Sequence, residues 1–328
     1  MHLKSNRFLQ TAARRMIRNV RHNSPVSTGT VSAIGTLFCL LFFLLTLPAM
    51  TRGEDAPANE EKPAAEKDEQ PETKKILLIG HELDHAWGTH MYLDTCELLV
   101  KCLRQSPGVE AEVSDGWPED DKVLEDVDAL VLYSSPGGDL LLDGQQAGQV
   151  NKLMKQGVGL VAIHWATGLL KKNEERLGEQ WLSYLGGMWI HFVGLEKATS
   201  QLTQLKPDHP ICNGWDEYEL HDEFYLNTTI APGAEPLLQV QVAGDDVIVG
   251  WTFERPVSDD GRSFGTTLGH FHGNFGIEAF RRAIVNGILW TAHVEVPEEG
   301  APIELTDEDL ELPPEPKPEK QEDKEPDN

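Results

Sequence analysis

The feature that most constrains this chain is a set of short, wholly apolar runs, each closed by Gly, His or a turn. Ile76-Leu-Leu-Ile79 precedes Gly80, Ala129-Leu-Val-Leu-Tyr133 precedes Ser-Ser-Pro-Gly-Gly, and Val158-Gly-Leu-Val-Ala-Ile163 precedes His164. Runs this short and this apolar are strands buried on both faces, the pattern of a parallel sheet covered by helices. Helical spacing lies between them. Tyr92, Cys96, Leu99 and Leu103 recur on one face over residues 90–104, which Ser106-Pro107-Gly108 ends. Residues 109–114 read as another strand, and Asp143 with Gln146 as a capping box for a helix that turns Val150, Leu153 and Met154 inward. Strands alternating with helices, joined by right-handed crossovers, predict an α/β domain built as a three-layer, doubly wound, mostly parallel sheet. Beyond Gly168 the pattern loosens. Residues 181–189 are aromatic and Gly-rich, residues 231–253 hold two strands, residues 261–268 another, and residues 277–291 form a closing helix with Ile277, Phe280, Ile284 and Ile288 on one face.

The flanks differ from this domain. Residues 31–50 carry no charge and are long enough to span a bilayer as a helix at about 1.5 Å per residue. Arg14, Arg15, Arg18 and Arg21 precede them, and no acid occurs before Glu54. The positive-inside rule then keeps residues 1–30 in the cytoplasm and exports everything that follows. The domain is expected on the periplasmic side, either anchored in the inner membrane through residues 31–50 or released after signal cleavage. Residues 51–74 form an acidic linker and 296–328 an acidic, Pro- and Glu-rich tail, both expected to be disordered, which leaves 75–295 as one domain. With 54 Asp and Glu against 28 Lys and Arg, the chain has a formal charge of −26. No basic stripe is present to release counterions, so nucleic acid is not an expected partner. The four Cys match no zinc or disulfide spacing.

Open α/β sheets bind ligands outside the carboxyl ends of their strands. Three expected strand ends deliver imidazoles to that edge: His81 after the first, His164 after 158–163, and His270 and His272 after 261–268. His164 stands where related architectures place a nucleophile elbow, and imidazole suits proton transfer or metal ligation better than acyl transfer. His85 lies in the loop after the first strand, among Glu82, Asp84 and His90. In His221-Asp222-Glu223-Phe-Tyr225, an extended backbone puts His221, Glu223 and Tyr225 on one side and Asp222 on the other. Glu223 is the candidate carboxylate. Trp251 offers either a stacking face for a sugar or a core side chain.

The set Gly159-Leu-Val-Ala-Ile-His164, Gly186-Gly187 with His191, His209-Pro210-Ile211, Asp222-Glu223-Phe-Tyr225, and Gly261-Arg262-Ser-Phe through Leu268-Gly269-His270, closed by Leu289-Trp290, resembles the ThuA-like (trehalose utilisation) family over about residues 75–295. The resemblance implies a fold like the class I glutamine amidotransferases, within the flavodoxin-like group, and a link to carbohydrate metabolism. Those amidotransferases carry a Cys at the elbow. Here the elbow holds His164, so glutaminase activity is not expected.

Two functional readings stand at this point. One is an exported enzyme acting on a sugar or oxidised (keto) disaccharide, a hydrolase with His164, Glu223 and His270 catalytic and His81, His85, Asp222, Tyr225, Trp251 and His272 binding substrate. A metal variant of it places a divalent ion on His81 or His85 together with His164 and His270. The other is a carbohydrate-binding or scaffold protein without catalysis, with a small carbohydrate as ligand.

Overall fold

The computed structural model describes residues 73–316; the expected leader and most of the linker lie outside them. Among the described residues no helix is long and apolar enough to cross a membrane, and the apolar run at 31–50 is not among them. The apolar runs are the strands expected. Strand β1 (Lys74–Gly80) pairs in parallel with β2 (Val109–Asp115) and with β3 (Ala129–Leu132), β3 pairs with β4 (Gly159–Ile163), and β4 with β12 (Arg262–Thr266). Their side chains alternate between two cores. Ile76, Leu78, Val131 and Val161 face helices α1 (Tyr92–Leu103) and α5 (Glu278–Thr291). Leu77, Ile79, Leu130 and Leu160 face α2 (Gly137–Leu142), α3 (Ala147–Lys155) and α4 (Glu174–Leu185).

The sheet is mixed, which corrects the expectation of a mostly parallel one. Its order is β2-β1-β3-β4-β12-β11-β10-β7-β8, and from β12 onward every pairing is antiparallel. Hairpins make this half possible. Strands β10 (Glu235–Val242) and β11 (Asp245–Glu254) join through Ala243 (φ 53°) and Gly244 (φ 92°). Two central residues at positive φ match the twist of the flanking strands. Strands β7 (Leu195–Gln204) and β8 (Tyr218–Tyr225) form a long antiparallel ladder from Leu195↔Tyr225 to Leu202↔Tyr218. A small second sheet joins β5 (Gly168–Leu169), β6 (Gly187–Ile190) and β9 (Thr229–Ile230).

Other expectations change locally. The capping box at Asp143 and Gln146 is absent: Asp143 accepts from Arg176 and Asn173, and the Gln146 amide donates to the Leu140 carbonyl. The aromatic, Gly-rich stretch is helix α4 stopped by Gly186 at φ 78°, followed by β6. The expected tail packs on the domain as far as its short helix α6 (Asp307–Leu310). Ala301 and Ile303 are 0% and 1% exposed, and Thr306 and Asp309 form a capping box. Asn286 of α5 ties this strap down, accepting from the Ala301 N–H and donating to the Ile211 and Asn213 carbonyls. Ile303→Ala is therefore expected to cost about 2–5 kcal/mol, as for other buried large-to-small changes. A denaturation midpoint equal to wild type would show that the strap contributes nothing.

Candidate functional site

Because β1, β3, β4 and β12 are parallel and in close register, Gly80, Leu132, Ile163 and Thr266 end at one edge. The chain there turns sharply. His164 sits at φ 55° and opens a 3-10 turn, His164–Thr167, the elbow anticipated from the sequence. A bulky side chain in the left-handed region is strained, and such strain is characteristic of functional sites. Gly269, at φ 111°, lets the chain swing from β12 into His270. His90, at φ 50°, enters from the loop before α1, its N–H donating to the His270 carbonyl.

Three ring nitrogens converge. His90 Nε2 lies 3.0 Å from His164 Nε2 and 3.0 Å from His270 Nδ1, and the last two are 3.3 Å apart. The outer nitrogens of two rings are fixed. His164 Nδ1 donates to the Thr267 carbonyl at 2.8 Å, so its Nε2 carries a lone pair when neutral. His90 Nδ1 faces the Tyr92 hydroxyl at 2.7 Å, which in turn reaches Asp84 at 3.4 Å. His270 is placed through its backbone: Asp222 accepts from the N–H groups of Gly269 (2.7 Å), His270 (3.0 Å) and Glu223 (2.9 Å).

Strand β8 supplies the oxygens. Glu223 Oε1 is 3.7 Å from His270 Nδ1 and 3.9 Å from His164 Nε2, while its Oε2 is 3.5 Å from Lys197 Nζ. The Tyr225 hydroxyl lies 3.0 Å from His164 Nε2. Burial raises the Glu223 carboxyl and Lys197 opposes it. Burial likewise lifts Asp222 to about 7 against the pull of its N–H bonds. The set is closed over, with His164 at 0% and Glu223 at 8% exposure, and His85, Trp165 and Lys197 form the rim.

Burial holds all three rings neutral: His164 falls well below the imidazole range, with His90 adding repulsion, His90 is lowered, and His270 goes down to about 3. An unfolded chain protonates the same rings near 6.5. The stability they contribute is complete above about pH 6.5 and is lost as pH falls toward 3, because only the unfolded state takes up the protons. Denaturant midpoints should decline steadily over that window. A flat profile from pH 7 to 4 would contradict this placement of the rings.

The remaining candidates divide. His81 is engaged at both nitrogens, accepting from the Ser135 N–H at 2.8 Å and donating to the Glu82 carbonyl at 2.6 Å, so it shapes the edge without joining the cluster. His85 lies tilted against His90 at 3.7 Å between centroids and is hydrogen-bonded to Asp84 at 2.6 Å, outside the three nitrogens. His272 turns to Thr95 of α1 at 2.8 Å, away from the site. Trp251 is a core residue and not a sugar platform: it is fully buried, packed against Gly187 and Gly265, and its indole N–H donates to the Leu185 carbonyl at 3.0 Å. Asp222 holds backbone and reaches no ligand space. His90, which the sequence reading treated as the start of a helix, belongs to the centre. Its signal was available, since it follows the first strand's loop in a segment already rich in His.

None of the described Cys serves this edge. Cys96 and Cys102 lie in α1 and Cys212 in a 3-10 turn, all buried, and burial raises the Cys212 thiol to about 12. A cleft of about 550 Å³ at the opposite, amino ends of β1 and β2 is lined by Lys75, Glu110, Lys122 and Glu125 and holds no His.

Among known proteins, the chain is 29% identical over 194 residues to cobyric acid synthase of Klebsiella pneumoniae, a match covering 55% of this chain and 36% of that protein. The chain thus spans about a third of that relative's length. A solved ThuA-like protein from Bacteroides uniformis superposes with a TM-score of 0.51 at 16% identity, covering 70% of this chain and 95% of the other. The cold-adapted β-galactosidase of Rahnella sp. R3 gives 0.44 at 10% identity, over 68% of this chain and 31% of that one. The glutaminase domain of Trypanosoma brucei CTPS gives 0.41 at 10%, over 70% and 98%. The model of the family described as ThuA, trehalose utilisation, matches residues 75–291, from β1 through the last turn of α5 and across every residue of the imidazole cluster, and the chain belongs to that family.

Proposed function

We propose that this protein is an exported enzyme that hydrolyses a small carbohydrate, a disaccharide or its keto form, at the edge where His164, His270 and Glu223 meet. The observation that carries the reading is the approach of one carboxyl, raised by burial, to within 3.7–3.9 Å of two inward-facing imidazole nitrogens. Proton exchange at a glycosidic bond needs an acid and a base addressing the same few atoms. Glu223, raised by burial, donates to the leaving oxygen; an imidazole lone pair takes the proton of the attacking water. Family membership supports a role in carbohydrate metabolism at that general level.

The test is incubation of the purified protein with α- and β-linked disaccharides and their keto derivatives, with products separated by chromatography. Release of a monosaccharide is expected. Binding without product would favour the non-catalytic reading instead, which has its own support in Phe192, 77% exposed and 3.6 Å from His191, whose ring stacks on Trp165 at 5.2 Å. Aromatic faces of this kind carry sugar rings. Neither binding nor turnover across the panel would overturn both.

A further inference from the structure

We propose that His90 Nε2, His164 Nε2 and His270 Nδ1 hold one divalent transition-metal ion, with Glu223 standing at its open side. The inference concerns the same site as the proposed hydrolase but needs no sugar; with the ion bound the imidazole lone pairs would be taken, and Glu223 alone would be left for proton transfer. The distances carry it. Imidazole nitrogens bind such ions at about 2.0–2.1 Å, and two ligands subtending about 90–105° then lie roughly 3.0–3.3 Å apart. The three observed separations, 3.0, 3.0 and 3.3 Å, fall on that range.

Proton placement points the same way. The best assignment without a cation turns Tyr92 O–H to Asp84, so that His90 Nδ1–H donates to the Tyr92 oxygen, Tyr225 O–H donates to His164 Nε2 and His270 Nδ1–H donates to His90 Nε2. It still leaves the lone pairs of His90 and His164 facing each other at 3.0 Å, and His270 Nε2 as a bare acceptor, buried with no partner among the described residues. A cation accepting all three lone pairs removes the first conflict and makes His270 Nε2 carry the ring's proton. Two outer groups match what orients metal-bound His elsewhere, a carbonyl on His164 Nδ1 and a hydroxyl backed by a carboxylate on His90 Nδ1, while His270 is aimed through its backbone instead. Three neutral nitrogens favour zinc, iron, cobalt or nickel over magnesium or calcium, which take oxygen. Three protein nitrogens on one side also leave positions open on the other, as catalytic ions require. Asp84 and His85 form a second grouping with His90, but it is exposed and shares that ring.

Elemental analysis of the full chain, purified without chelator, is expected to give about one such ion per molecule. Chelator-treated protein should take up Zn(II) or Co(II) with one-to-one stoichiometry, and the cobalt form should show the visible absorption of a low-coordinate nitrogen site. His90→Ala or His270→Ala should lose the stoichiometric ion, and His85→Ala should keep it. The cobalt spectrum of the unaltered chain keeps the test valid if a variant fails to fold. No ion as isolated and no uptake of either metal would overturn the proposal. So would loss on His85→Ala with retention on His90→Ala, which would place any ion at the exposed grouping. A bound ion without sugar turnover would leave this site standing and remove the hydrolase.

Discussion

Glu223→Gln is expected to lower turnover by about 10²–10⁴-fold, the usual worth of a positioned acid or base, while leaving the fold and the three imidazoles in place. The amide keeps the size and hydrogen-bonding reach of the carboxyl but neither gives nor takes a proton in the working pH range. Glu223 is 8% exposed, so the substitution removes a charge that burial already disfavours. Its other contact is Lys197 at 3.5 Å, a residue half open to solvent whose ammonium can turn to water. Stability should therefore change little, and the loss should fall on kcat more than on KM. The measurement is steady-state kinetics on whichever disaccharide the panel identifies, with circular dichroism as the fold control. Activity within about threefold of wild type would remove Glu223 from the chemistry and leave it as the partner of Lys197.

Asp222→Ala should be the most destabilising single change at the site. Its two oxygens receive three backbone N–H groups, from Glu223, Gly269 and His270, all buried. Each buried donor left without an acceptor costs about 1–3 kcal/mol, so a loss of at least about 3 kcal/mol is expected, a large part of the total for a domain. The effect reaches function as well, because the clamp aims His270. Asp222→Asn keeps one acceptor oxygen and should fall between. Urea midpoints for the pair decide the matter; equal values for alanine and wild type would mean that the loop after β12 finds other acceptors at no cost.

The parallel half of the fold was legible because burial on both faces leaves a signature that needs no partner to be read. Leu77 to Ile79 and Leu160 to Ile163 contain nothing but apolar residues, and a Gly, a His or a turn marks each end. The antiparallel half has no such signature. Strand β7, Leu-Glu-Lys-Ala-Thr-Ser-Gln-Leu-Thr-Gln, buries only Leu202, and its register is set by pairing with β8 across a long connection. The turn at Ala243-Gly244 lacks the Asn or Asp that usually announces a tight hairpin. Helix α4 was obscured by aromatic residues and Gly186-Gly187, where one glycine ends the helix and the next begins a strand. Site residues followed the same division. His164 and His270 were found because they follow strands. His90 was not, since its only mark is the run of His after the first strand, and no strand end places this loop residue, 180 positions from His270, in ring contact. The alternation along β8 correctly separated Asp222 from Glu223, but Asp222, expected to bind substrate, meets the His270 loop on its side instead. Trp251 failed as a platform because Gly187 and Gly265, far apart in sequence, open the space that buries it.

The β7–β8 hairpin meets the main sheet over only two ladder positions, Leu238↔Gln204 and Gln239↔Thr203, although it carries Lys197, Asp222, Glu223 and Tyr225. The three imidazoles thus come from the loops at the edge of the parallel half, and the carboxyl and phenol beside them from the β8 strand of the arm. Segments held by few shared backbone bonds open locally at lower free energy than a central sheet. Here side chains make up for the short ladder: Leu220 and Phe224 are buried in the main core, and Asp222 takes the N–H groups of Gly269 and His270. Lifting this arm would therefore cost more than its two ladder positions suggest, because it would strip the acceptor from the very loop that carries His270.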